Sequence, residues 1–122
     1  MKHLMIMALL ASSAACGSDD EDDENALPTV DCKNDAGVPS FAQVEAFTTC
    51  KACHSSTLSA ANRKEAPADI NFDTYAAAKA HAQKAVSEVF SGAMPPADSK
   101  LTLSQSAKDG LYRWGLCGTP ND

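Results

Sequence analysis

The sequence predicts an all-α domain built on three main helices. Along three stretches, apolar residues recur at spacings of three and four, the period of a helix that buries one face. Helix-starting residues stand ahead of these stretches at Ser40, Asp73 and Thr102, and Gly92 and Gly118 stand where the second and third should stop. No apolar–polar alternation runs long enough to build a sheet, and no internal repeat is evident.

The chain opens with Lys2 and His3, an apolar run from Leu4 to Leu10 and small residues from Ala11 to Ala15. This is the order of a secretory signal peptide over residues 1–15, with an apolar run too short to span a bilayer. Ser13-Ala14-Ala15-Cys16-Gly17 resembles a bacterial lipoprotein signal. The resemblance implies that Cys16 becomes the acylated mature N-terminus, anchored to a membrane in the periplasm or cell envelope. Ordinary cleavage near Ala15, with Cys16 a stray thiol, is the alternative. Residues 16–39 read as an acidic, flexible tether, because Asp19, Asp20, Glu21, Asp22, Asp23 and Glu24 repel one another and bury no apolar area. Pro28, Asn34, Asp35, Gly37 and Pro39 make its second half turn and loop.

With 122 residues, 44% hydrophobic and 21% charged, the chain suits one small globular domain, placed at residues 40–118. The formal charge is −6, and the acidic run dominates it. Without that run and Lys2, nine basic residues face ten acidic ones, so the domain has no basic patch for nucleic acid.

The first helix is expected from about Ser40 to Cys50. Ser40 and Gln43 have capping-box spacing, and Phe41, Val44 and Phe47 form one apolar face. Ser55 to Asn71 reads as an irregular loop, with Leu58, Ile70 and Phe72 as its apolar contacts. Arg63 and Lys64 read as solvated surface charges, with neutralisation of a bound anionic group as the alternative. The second helix is expected from about Thr74 to Ser91, capped by Asp73 and buried through Tyr75, Ala78, Ala82, Val86, Val89 and Phe90. Ala93-Met94-Pro95-Pro96 cannot continue a helix. The third helix starts within Thr102-Leu103-Ser104-Gln105 and buries Leu103, Ala107, Leu111 and Trp114, with the indole N–H near a polar partner.

Between the first helix and the loop lies Cys50-Lys51-Ala52-Cys53-His54, the attachment signature of a c-type haem. Each thiol can add across one vinyl group of the macrocycle, and the next residue is a histidine that can bind the iron. Two other uses of the pattern compete. A thioredoxin-like redox pair needs a βαβ pattern around Cys50, and none is visible. A structural zinc site needs four donors, and adjacent Cys53 and His54 fit one tetrahedron awkwardly.

A helix leading into Cys-x-x-Cys-His, a loop, a Met-Pro segment and a C-terminal helix together resemble the small class I cytochrome c family. The chain is also similar to single-haem domains on bacterial lipoproteins, where Asn71-Phe72-Asp73-Thr74-Tyr75, Met94-Pro95-Pro96 and Trp114 have counterparts. The resemblance implies three main helices around one covalently bound haem c, attached through Cys50 and Cys53. It implies His54 as proximal and Met94 as distal axial ligand, and the carbonyl of Pro67, or failing that Ala66, as acceptor for the His54 ring N–H. Many relatives carry a large apolar residue four positions before the first haem cysteine, where this chain has Ala46, with Phe47 one later. Beyond the signal, Met94 is the sole methionine and His81 the only other histidine, so His81 is the alternative distal ligand. A filled distal position argues against a haem enzyme. The implied role is an electron carrier between redox-partner proteins, acting as a monomer or as a haem-binding module of a larger oxidoreductase complex.

Five cysteines remain to be assigned: Cys16, Cys32, Cys50, Cys53 and Cys117. With lipid on Cys16 and haem on Cys50 and Cys53, Cys32 and Cys117 are left to pair as a disulfide, in an exported protein that tolerates few free thiols, with two unpaired buried cysteines as the alternative.

Overall fold

The computed structural model describes residues 27–33 and 37–122. The expected signal peptide, Cys16 and the six-acid run lie outside these residues. Every regular element among the described residues is helical: α1 (Ala46–Cys50), α2 (Tyr75–Ala80), α3 (Ala82–Phe90) and α4 (Gln105–Leu116), with single 3-10 turns at Phe41–Gln43, Ala60–Arg63 and Ala97–Ser99. The predicted all-α class holds. None of these helices is long and apolar enough to cross a membrane.

Two of the three expected helices are broken. The capping box forms, with the Ser40 amide donating to Gln43 Oε1 at 3.0 Å, but it closes only one 3-10 turn. Val44 then leaves helical geometry at φ −73°, ψ 97°, and α1 begins at Ala46. The Phe41 amide is taken by the Pro120 carbonyl at 2.9 Å, so a contact with the far end of the chain holds this segment. The second helix breaks at His81 (φ −113°, ψ 15°), which ends α2 and precedes α3. Thr74, rather than Asp73, caps α2, accepting from the Ala77 amide at 3.3 Å. Asp73 instead accepts from the Ser56 hydroxyl at 2.5 Å and from the Ser56 amide at 3.3 Å, tying the loop to the start of α2. Gly92, at φ +85°, stops α3 where expected, and Ser104 caps α4 through the Ala107 amide at 3.1 Å.

The core gathers on α4, which packs against α3 and α1. Trp114, Leu111 and Val86 are wholly buried. Each such side chain contributes on the order of 2 kcal/mol by leaving water. Phe47 meets the Trp114 ring edge-on at 5.1 Å and stacks on Phe72 at 5.4 Å, so Phe47 makes the α1–α4 contact while Ala46 is buried beside it. The Trp114 indole donates to the Pro120 carbonyl at 2.9 Å, the polar partner expected of it. Gly115 lets α4 come close to α3: a Cβ there would lie 2.6 Å from Val86 Cγ2. Phe90, expected in the buried stripe, is 47% exposed and lies against the Tyr112 edge at 6.0 Å. It follows Val89 by one residue, about 100° round the helix, and so leaves the buried face.

Candidate functional site

Cys50 ends α1, and its carbonyl accepts from the amides of both Cys53 (3.2 Å) and His54 (2.9 Å). One tight turn therefore carries both thiols and the imidazole. Both cysteines are free and partly buried. Burial pushes the Cys50 thiol up to about 11; a backbone hydrogen bond opposes the shift and the nearby Cys53 adds to it. A thiol held there is a poor nucleophile, whereas a redox cysteine is active because its pKa is depressed.

The His54 ring is buried and held from two sides. Its Nδ1 lies 3.1 Å from the Ile70 carbonyl. That oxygen can only accept, so the ring proton is assigned to Nδ1. Nε2 has no hydrogen-bond partner among the described residues. Phe72 meets the ring edge-on at 5.6 Å, and its amide donates to the His54 carbonyl at 2.9 Å. Burial holds the imidazole below its ordinary value against the upward pull of the Ile70 carbonyl, with smaller depressions from Arg63 and His81. The result is a neutral ring with one nitrogen tied and the other open, the state in which histidine binds a metal.

The acceptor expected for the ring N–H is Pro67 or Ala66; both carbonyls instead accept from Arg63, and that of Pro67 also from the Ile70 amide. The Arg63 side chain is only 5% exposed, so it is neither a solvated surface charge nor a cation held ready for a propionate. Nε donates to Ala66 O at 3.2 Å, Nη1 to Ser55 O at 2.7 Å and Asn71 Oδ1 at 2.8 Å, and Nη2 to Ile70 O at 3.0 Å and to Pro67 O. A guanidinium has five N–H donors, and all five are engaged within the loop. Lys64 (φ +50°) and Glu65 (φ +70°) adopt left-handed backbone geometry directly after it, turning the chain back over the guanidinium. The sequence marks Arg63 only indirectly: a long irregular loop must find donors for its carbonyls, and a cation inside the loop is one source.

His81, the alternative ligand, points its Nε2 at the Asp69 carbonyl, 3.0 Å away. It fastens the loop just before Ile70 to the α2–α3 break. Met94 lies after the Gly92 stop, its amide bonded to the Glu88 carbonyl at 3.0 Å and its side chain partly buried against the same core as Cys50. The Met94–Pro95 peptide is cis. Cys32 and Cys117 are joined, with sulfurs 1.99 Å apart and Cα atoms 5.3 Å apart. With Val30 packed on the core and Arg113 Nη2 donating to Asp31 O at 3.4 Å, this end of the expected tether is fixed to α4.

Among the described residues, no three His, Cys, Asp or Glu side chains converge as metal ligands. A structural zinc would need four donors, whereas a haem iron needs only one protein atom on each face. Two free thiols and an imidazole with an open nitrogen on one turn fit the latter donor set. Comparisons with protein-family models, curated proteins and solved structures return no match for this chain.

Proposed function

We propose that this chain is an exported, single-haem c-type cytochrome with a class I cytochrome c-like fold, an electron carrier rather than an enzyme. In this proposal Cys50 and Cys53 form the thioethers, His54 is the proximal and Met94 the distal axial ligand, and redox-partner proteins supply and accept the electron. Cys50, Cys53, His54 and Met94 would hold the haem, which would supply a one-electron iron couple. The observation that carries the proposal is the turn itself: two free thiols and a neutral imidazole whose Nδ1 is tied to Ile70, leaving Nε2 without a partner among the described residues. The protein's part is to keep that ring fixed. Ile70 holds the proton on Nδ1, Phe72 blocks the ring's edge, and the α1–α4 packing sets the position of Cys50.

The thiol-redox alternative is weakened by the raised Cys50 thiol, and the zinc alternative by the lack of a converging donor set among the described residues. The lipid on Cys16 and the envelope location rest on the sequence resemblance. The decisive experiment is expression with a cytochrome c maturation system, followed by a pyridine haemochrome spectrum and haem staining after denaturing electrophoresis. Haem that stays with the denatured chain, and leaves when both Cys50 and Cys53 are changed to Ala, is the expected outcome. A colourless chain carrying zinc or a reversible Cys50–Cys53 disulfide would end the proposal.

A further inference from the structure

Ile70 O is shared. It accepts from His54 Nδ1 at 3.1 Å and from Arg63 Nη2 at 3.0 Å, so a buried cation and the imidazole draw on one oxygen. We propose that Arg63 is a positioning residue for His54, setting how strongly the imidazole donates its Nδ1 proton by competing for the Ile70 carbonyl.

A carbonyl oxygen has two lone pairs and can serve both donors. The two bonds are not independent, because a cation on one lone pair withdraws electron density from the oxygen and makes it a weaker acceptor for the other donor. The strength of the Nδ1–H bond matters to the opposite nitrogen: the further the proton moves toward the carbonyl, the more basic Nε2 becomes as a ligand. Arg63 holds the imidazole toward the weakly donating end of that range. Two features keep the arrangement in place. All five guanidinium donors are engaged, so the group cannot swing away from Ile70. Among the described residues no carboxylate pairs with Arg63, so no anion offsets its charge there.

On the haem reading, on which this consequence rests, a less basic His54 favours ferrous iron, so Arg63 raises the reduction potential. The test compares the full chain with R63K, which keeps the cation but loses the planar fork, and with R63M and R63Q, which lose the charge. Three readouts are taken: the His54 Nδ1 proton resonance by NMR, in the reduced state where haem is bound; the reduction potential; and thermal stability. Loss of charge should move the Nδ1 proton downfield, toward a stronger bond, and lower the potential. R63K should stay near the wild type in both while losing stability. The proposal is overturned if the resonance and potential of the neutral variants match the wild type, or if R63K shifts as far as they do, since both then follow loop integrity and not charge. Should R63M fail to fold, R63Q against R63K gives the same decision. If the isolated chain carries no covalent haem, the function proposed above fails, and the Nδ1 resonance of the chain as isolated still decides for or against Arg63.

Discussion

On the haem reading proposed above, a distal ligand would come from Met94 or His81, and the surroundings of these two side chains differ. His81 already commits Nε2 to the Asp69 carbonyl, and turning it to an iron would release the loop that precedes Ile70. Met94 has its backbone fixed by the Glu88 carbonyl, while its thioether packs on the core with no hydrogen bond among the described residues. Met94→Ala should therefore abolish the weak far-red absorption band of the oxidised protein, open the iron to carbon monoxide and lower the potential by at least roughly 0.1 V, a fraction of the ~0.8 V that axial ligands command. His81→Ala should leave the band in place and cost only stability. The reverse pattern would make His81 the ligand. At this scale legibility divided sharply. That Cys50, Cys53 and His54 share one turn could be read from spacing, because they are near neighbours in the chain. Arg63 could not, since four of its five partners are backbone carbonyls, which every residue carries and no residue type marks.

The helices were legible wherever burial follows a helical period. Ala78, Ala82, Val86 and Val89, and Ala107, Leu111 and Trp114, are all buried as the spacing required. The breaks were not legible: Val44 leaves helical geometry where the preceding turn is tied to Pro120, His81 sends its side chain to the Asp69 carbonyl, and neither Val44 nor His81 is a helix breaker by type. Glycine within α4 is the converse case: it lowers helix propensity, yet Gly115 has a packing reason. A Cβ at this position would lie 2.6 Å from Val86 Cγ2 and 3.4 Å from the Ala82 carbonyl. Gly115→Ala should thus destabilise the domain by about 1–3 kcal/mol through overpacking, although propensity alone favours alanine. Urea unfolding checks the sign. In a double-mutant cycle Gly115→Ala should cost less in a Val86→Ala background than in the wild type, because the methyl that the new Cβ would meet is gone. A more stable Gly115→Ala protein would mean that α3 and α4 can separate without cost.

Across the whole molecule, the Cys32–Cys117 link encloses α1, α2, α3 and α4 in one covalent loop with a sequence separation of 85. A domain of this size has a limited core, and constraining its unfolded chain is one way to add stability. Cysteine arithmetic could propose the pair, because two cysteines remained once the others had uses. It could not reveal that the end of the tether would also be pinned by Val30 on the core and by Arg113 on the Asp31 carbonyl. In the chain-entropy account, closing a loop of this length is worth about 4.5 kcal/mol. Replacing both cysteines with serine should therefore lower the thermal midpoint by roughly 18–36 °C, taking about 4–8 °C per kcal/mol for a small domain. The contacts of Val30 and Asp31 persist only while the folded segment stays in place, so they do not replace the loss of covalent closure. His54, Ile70 and Arg63 all lie within the loop and are held by bonds of their own. The absorption spectrum of the haem-loaded double variant should therefore match the wild type at temperatures where it stays folded. A thermal midpoint unchanged by the substitutions, with both thiols of the native chain open to alkylation, would show that Val30 and the α4 packing hold this end without the bond.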